Sequence, residues 1–134
     1  MCWSLIDRIL IFTGGGLLSI IHFSDNEAKI LTRWSEDVSL SAMGLVALML
    51  REYQNTKNRV VIHKDWVAYI PEKSNYIPMA KITSKKYLLA TIGFIRRLSL
   101  EIKDLPEECK LVAEAIIKTF EKHFKLKISK VTVY

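Results

Sequence analysis

The sequence predicts an α+β domain whose elements run β-β-α-β-β-β-α, five strands with material for a sixth. Three observations lead there. Two apolar runs, Ile6 to Thr13 and Leu17 to Ser24, flank Gly14-Gly15-Gly16, and glycine, with no Cβ, accepts the positive φ of a tight hairpin turn. Two segments, about 36–54 and 104–125, carry apolar residues at helical spacing. Between them, β-branched and aromatic residues recur in short runs bounded by turn chemistry.

The opening hairpin has no clean apolar/polar alternation in either arm, so both arms are expected inside a sheet covered on both faces. Asp25-Asn26-Glu27 makes the next turn, and 28–34 is ambiguous by period. Ser35, Glu36 and Asp37 then supply a helix start, because a serine oxygen accepts from orphan amides and acidic residues suit the positive end of the helix dipole. The helix runs to about Gln54, where Asn55-Thr56-Lys57-Asn58 ends it. It is apolar nearly all round. Val38, Ala42, Leu45, Val46 and Met49 line one face, and Leu40, Met43, Ala47 and Leu50 a second, with Ser41, Gly44 and Leu48 between them. Such a helix is buried on more than one side.

Val60 to His63 and Trp66 to Ile70 read as strands joined at Lys64-Asp65. Ile77 to Thr83 reads as another, placed at an edge because Pro78 donates no amide hydrogen. Tyr87 to Ile95, apolar on both faces, is expected as a central strand, and Leu98, Leu100 and Ile102 alternate with polar residues as a half-exposed strand would. In the second helix Asp104 caps the start, Pro106 fits the first turn, and Cys109, Val112, Ala115, Ile116 and Phe120 form one apolar stripe. The tail, 126–134, has strand composition and forms an extension to the domain spanning 1–125, as an added edge strand or a segment that pairs with a partner.

At 134 residues the chain is long enough to bury a core without staples. Cys2 and Cys109 stand in no metal-binding or redox spacing, which favours free thiols and a reducing compartment over a bridge between them. No apolar run reaches membrane-span length, and Asp7 ahead of Arg8 does not fit a signal peptide; the expectation is a cytoplasmic protein, with peripheral membrane contact as its widest extension. Charge is uneven: residues 1–57 hold five Lys/Arg against six Asp/Glu, and 58–134 hold fifteen against eight. A basic C-terminal part suits an acidic protein, a membrane surface or nucleic acid, or is a plain lysine-coated surface. Lys85, Lys86, Arg96 and Arg97 are its candidate surface, and as they bracket an expected strand they fall at its opposite ends.

No constellation of residues names a reaction. Gly14 to Gly16 is followed by a strand, without the Lys-Ser/Thr or helix that phosphate-binding loops require. His22, His63 and His123 lie far apart in sequence, and an enzyme built on His63, Asp65 and Cys109 has no motif to place them. Trp66, Tyr69, Tyr76 and Tyr87 interleave with lysines, which suits single-stranded nucleic acid, but no nucleic-acid motif accompanies them and sheet residues explain them better. No catalytic residue, metal or cofactor is predicted.

The element order, with Ile6 to Leu18 (IDRILIFTGGGLL) and the run Arg59 to Phe94, resembles the longin/roadblock group of small domains, in the SNARE-like and profilin-like superfamily; profilins, which begin with a helix, are the weaker match. The resemblance implies a five-stranded antiparallel sheet carrying the long first helix on one face. It also implies a platform rather than a catalyst, one that dimerises with itself or a paralogous subunit and scaffolds or regulates a small GTPase or a vesicle-trafficking complex. Transferred here, the contact is Leu40, Ser41, Met43, Gly44, Ala47, Leu48, Leu50 and Arg51. A profilin-like or anionic-surface-binding protein using the basic C-terminal part is the alternative.

Overall fold

The computed structural model describes residues 5–13, 16–31, 59–72 and 74–134. The predicted helix at 36–54, with its contact residues from Leu40 to Arg51, lies outside them, as do Cys2 and the turn residues Gly14 and Gly15. The described strands are β1 (Ile6–Thr13), β2 (Gly16–Ser24), β3 (Glu27–Leu31), β4 (Arg59–His63), β5 (Trp66–Ile70), β6 (Ile77–Ile82) and β7 (Lys130–Val133). Two α-helices, α1 (Leu88–Ile102) and α2 (Cys109–Phe124), fall between β6 and β7. The strands form one seven-stranded mixed sheet in the order β4-β5-β6-β1-β2-β3-β7. The class is α+β, but the sheet is larger than five or six strands and its element order differs from the expectation.

The opening hairpin is the middle of the sheet. β1 pairs antiparallel with β2 through Thr13↔Gly16 and with β6 on its other side, which is why neither arm alternates: Ile9, Leu10 and Ile11 are all fully buried. Asp25 and Asn26 both take positive φ, 41° and 64°, the backbone a two-residue primed turn demands. That turn delivers Glu27 into β3, which resolves the ambiguous stretch as a strand as far as Leu31, the last described residue there. Lys64, also at positive φ (54°), turns β4 into β5.

Pro78 sits in a strand flanked on both sides, contrary to the edge placement. The pairing of β5 with β6 ends at Ala68↔Met79, one residue short of Pro78, while the β1 side continues through Ile11↔Pro78 to Phe12↔Ile77. Where the amide hydrogen is missing, the strand therefore needs no partner on the β5 side.

Tyr87 to Ile95 is not a central strand, and Leu98 to Lys103 is not a half-exposed one. After a 3-10 turn at Lys85–Tyr87, whose Ser84 side chain accepts from the Lys86 amide, both stretches belong to α1. Its buried residues Thr91, Phe94, Ile95, Leu98 and Ile102 recur at three- and four-residue steps, the spacing of one helix face. Helix α2 begins later than predicted. Glu108 occupies its N-cap position without a side-chain capping bond, and Leu105 donates to the Ile102 carbonyl while Glu108 donates to Pro106, so Asp104 to Pro106 form the connecting turns. The C-terminus closes in the left-handed conformation at Lys125, φ 54°, and Leu126 donates to the Glu121 carbonyl.

The helices share one face of the sheet, α1 over β5 and β6 and α2 over β2 and β3. Phe120 joins the layers: its ring stacks on Phe23 at 4.3 Å and meets Phe94 edge-on at 5.7 Å. The opposite face carries a second cluster, Leu10, Phe12, Ile20, Ala68 and Met79, all buried, to which no described helix contributes. The tail becomes β7, parallel to β3 through Ala28↔Val131 and Ile30↔Val133. Glu121 reaches past the end of α2 to accept from the Ile128 amide at 2.9 Å, and Ser129 donates to the Asn26 carbonyl at 2.8 Å. These bonds set the tail beside β3.

Candidate interaction surfaces

Lys85, Lys86, Arg96 and Arg97 lie on one continuous helical run, not at opposite ends of a strand. All four are exposed. Three turns of helix separate the two pairs, about 15 Å at 1.5 Å per residue. The arginines diverge around the axis. Arg96 lies over the Tyr69 ring of β5, 6.0 Å from its centroid, whereas Arg97 faces α2, where its charge acts on His123. The outer surface of α1 between them exposes Leu89 (81%) and Leu100 (69%).

His123 packs against Phe94 and Phe124, with centroids 5.7 Å and 4.8 Å away. Burial first, and then the Arg97 guanidinium, push its pKa below the ordinary histidine value. Such a histidine is neutral in the fold at neutral pH and belongs to the helix–helix seam. Tyr76 is buried and donates its hydroxyl to the Leu105 carbonyl at 2.6 Å; burial, then the nearby Glu107, raise its pKa. It pins the α1–α2 connection to the start of β6.

His63, Asp65 and Cys109 do not meet. His63 ends the edge strand β4 and Asp65 lies in the turn after it, while the half-buried, free Cys109 thiol is 3.8 Å from the Ser19 hydroxyl on β2, beneath α2. A bulge in β2, between the pairs Ile11↔Ser19 and Phe12↔Leu17, lets Leu18 and Ser19 both turn toward the helices. Among the described residues no group of three or more His, Cys, Asp or Glu side chains could hold a metal ion, and no helix is long and apolar enough to cross a membrane.

The sequence reading missed a row of side chains on the sheet face away from α1 and α2. Six cross-strand pairs connect His63↔Trp66, Trp66↔Lys81, Lys81↔Arg8, Arg8↔His22, His22↔Lys29 and Lys29↔Thr132. Directly paired residues project to the same face, so these seven form one line across all seven strands. Four consecutive members are basic. No signal in a linear reading reveals this, because Arg8, His22, Lys29 and Lys81 come from four separate strands and share neither spacing nor motif. Comparisons with protein-family models and with curated proteins give no match to this chain.

Proposed function

We propose that the chain is a non-enzymatic interaction module that assembles with itself or a paralogous subunit and scaffolds or regulates a small GTPase or membrane-trafficking complex. The observation that carries this reading is the sheet with two apolar faces. α1 and α2 pack on one; the other holds Leu10, Phe12, Ile20, Ala68 and Met79, buried without a contribution from either helix. The sequence gives 36–54 two apolar faces. A second-face cluster can take one of them, which leaves the other, Leu40, Ser41, Met43, Gly44, Ala47, Leu48, Leu50 and Arg51, for a partner chain. Six neighbouring strands, β4-β5-β6-β1-β2-β3, pair antiparallel, and the largely antiparallel character, though not the strand count, is in line with the longin/roadblock resemblance.

Light scattering tests it. A dimer at micromolar concentration that becomes monomeric in Gly44→Trp is the expected result, since a bulky side chain blocks close helix approach. A clean monomer that is soluble without a partner would overturn it. The second reading, docking on an acidic protein or anionic membrane, draws on the exposed Leu89 and Leu100 beside Lys85, Lys86, Arg96 and Arg97.

A further inference from the structure

The row of basic side chains is built in a way that core packing does not explain. Lys81, Arg8, His22 and Lys29 stand on β6, β1, β2 and β3, all four of them internal strands of the sheet. Neighbouring strands lie about 4.8 Å apart, so the four positions span about 14 Å. Like charges directly opposite one another destabilise a sheet, yet here Lys81 faces Arg8, and Lys29 follows one strand beyond His22. All four are half-buried, with about a third of the Arg8 and His22 side chains exposed (33% and 31%).

Among the described residues, compensation is slight: one of their carboxylates, Asp7, serves the row, accepting from Arg8 Nε at 3.1 Å and lying 3.4 Å from His22 Nε2. It reaches them because β1 bulges against β6 between Ile6↔Ile82 and Arg8↔Lys81; without the extra residue, adjacent Asp7 and Arg8 would point to opposite faces. The next acid along β3, Glu27, is opposed in register by Lys130. Among the described residues no carboxylate lies within ion-pair distance of Lys29 or Lys81. Each of these lysines instead sits by an aromatic ring, Lys81 Nζ 5.9 Å from the Trp66 centroid and Lys29 Nζ 5.9 Å from that of Tyr134. The rings hold the two ammonium groups at the ends of the row without neutralising them.

We propose that this row binds an anion carrying two or more phosphate groups. Rigid neighbouring strands present four donors in a line. Arg8 commits Nε to Asp7 and keeps its terminal nitrogens for a phosphate oxygen, and the two lysines add point charges on either side. A single carboxylate would engage one or two of these groups and leave the remaining repulsion in place. A polyphosphate spans the line and relieves it. The same chemistry is offered by a soluble polyphosphate and by a phosphorylated lipid headgroup.

The test uses the full chain with two probes: inorganic tripolyphosphate in calorimetric titration, and phosphatidylcholine vesicles with and without a phosphoinositide in a sedimentation assay. Binding to tripolyphosphate should weaken about tenfold or more in Lys29→Gln/Lys81→Gln, which removes two charge-assisted contacts, and persist in Lys29→Arg/Lys81→Arg. Vesicle binding that needs the phosphoinositide and fails in the same glutamine variant assigns the lipid source; tripolyphosphate binding alone assigns the soluble one. Removing like charges relieves repulsion, so the glutamine variant should melt no lower than the parent, which separates lost binding from lost folding. Binding of neither probe by the parent chain, full binding by the glutamine variant, or an equal loss in Lys85→Gln/Lys86→Gln on the far side of the sheet would overturn the assignment.

Discussion

Leu98 and Leu100 give a direct measure of whether α1 is organised as a helix in solution. Alternation puts Leu98, Leu100 and Ile102 on one buried strand face, so both leucines should then cost the same when truncated. The helix separates them: Leu98 is fully buried in the cluster with Phe94, Ile95 and Val112, and Leu100 is 69% exposed. Leu98→Ala should therefore cost about 2–5 kcal/mol, the lost transfer energy plus the cavity left under α1. Leu100→Ala should stay within about 0.5 kcal/mol, as surface substitutions do. An unfolding entropy of about 2.1 cal/mol/K per residue over this length makes 1 kcal/mol worth about 3.5 °C in Tm. Leu98→Ala then melts about 7–18 °C below the parent and Leu100→Ala within about 2 °C of it. Thermal unfolding followed by circular dichroism, backed by urea titration, reads both. Equal losses at the two positions would refute the helix and restore the strand.

Two further substitutions probe the α1–α2 seam. Gly93 lies on the exposed side of α1, and a Cβ there would sit 3.9 Å from the His123 ring, an ordinary contact distance; Gly93→Ala should raise stability by up to about 1 kcal/mol in urea titration, the difference in helix propensity, and a loss would show the seam to be tighter than this distance allows. His123 has its pKa lowered in the fold, first by burial and then by Arg97, so below the ordinary histidine value the unfolded chain binds more protons than the folded one. Stability should accordingly be flat above about pH 6.5 and fall as the pH drops below it. In His123→Gln the part of that acid-side slope due to this group should disappear, measured as Tm against pH; an unchanged slope would remove His123 as its source.

What could be read from the sequence was what short-range chemistry controls. Asp25-Asn26 announces its turn because Asp and Asn tolerate positive φ between apolar runs, whereas at Lys64-Asp65 the polar pair marks the turn although the positive φ falls on Lys64. α1 was illegible for a specific reason. Arg96-Arg97 looks like a break between two strands, but both arginines are solvent positions between the buried pairs Phe94/Ile95 and Leu98/Ser99, and a window crossing them has the helical period. Asp104 has the chemistry of a cap, and Pro106 and Glu107 suit a first turn. The chain spends those residues on crossing from α1 to α2, so α2 starts at Cys109 with an uncapped end. The tail shows strand composition, while its parallel direction depends on where α2 releases the chain beside β3. No local signal encodes that.

The basic row marks the limit of such reading, and its position argues against a purely protective role. Charges on a sheet commonly guard its edges, where unpaired backbone groups invite another strand. Arg59 and His63 on β4 and Lys130 on β7 fit that account, because β4 and β7 are the two ends of the strand order. Lys81, Arg8, His22 and Lys29 do not, since every one of their strands has a neighbour on both sides. Nor do they continue the core, for two residues along the same strands the face turns to Met79, Leu10, Ile20 and Leu31, which pack together. Lys81, Arg8 and Lys29 at the rim of an apolar cluster, with Asp7 the one carboxylate paired to the row among the described residues, are placed to gain from an anion lying across them. The bulge that brings Asp7 to Arg8 and His22 holds the middle of the line in place, and the rings of Trp66 and Tyr134 hold its ends.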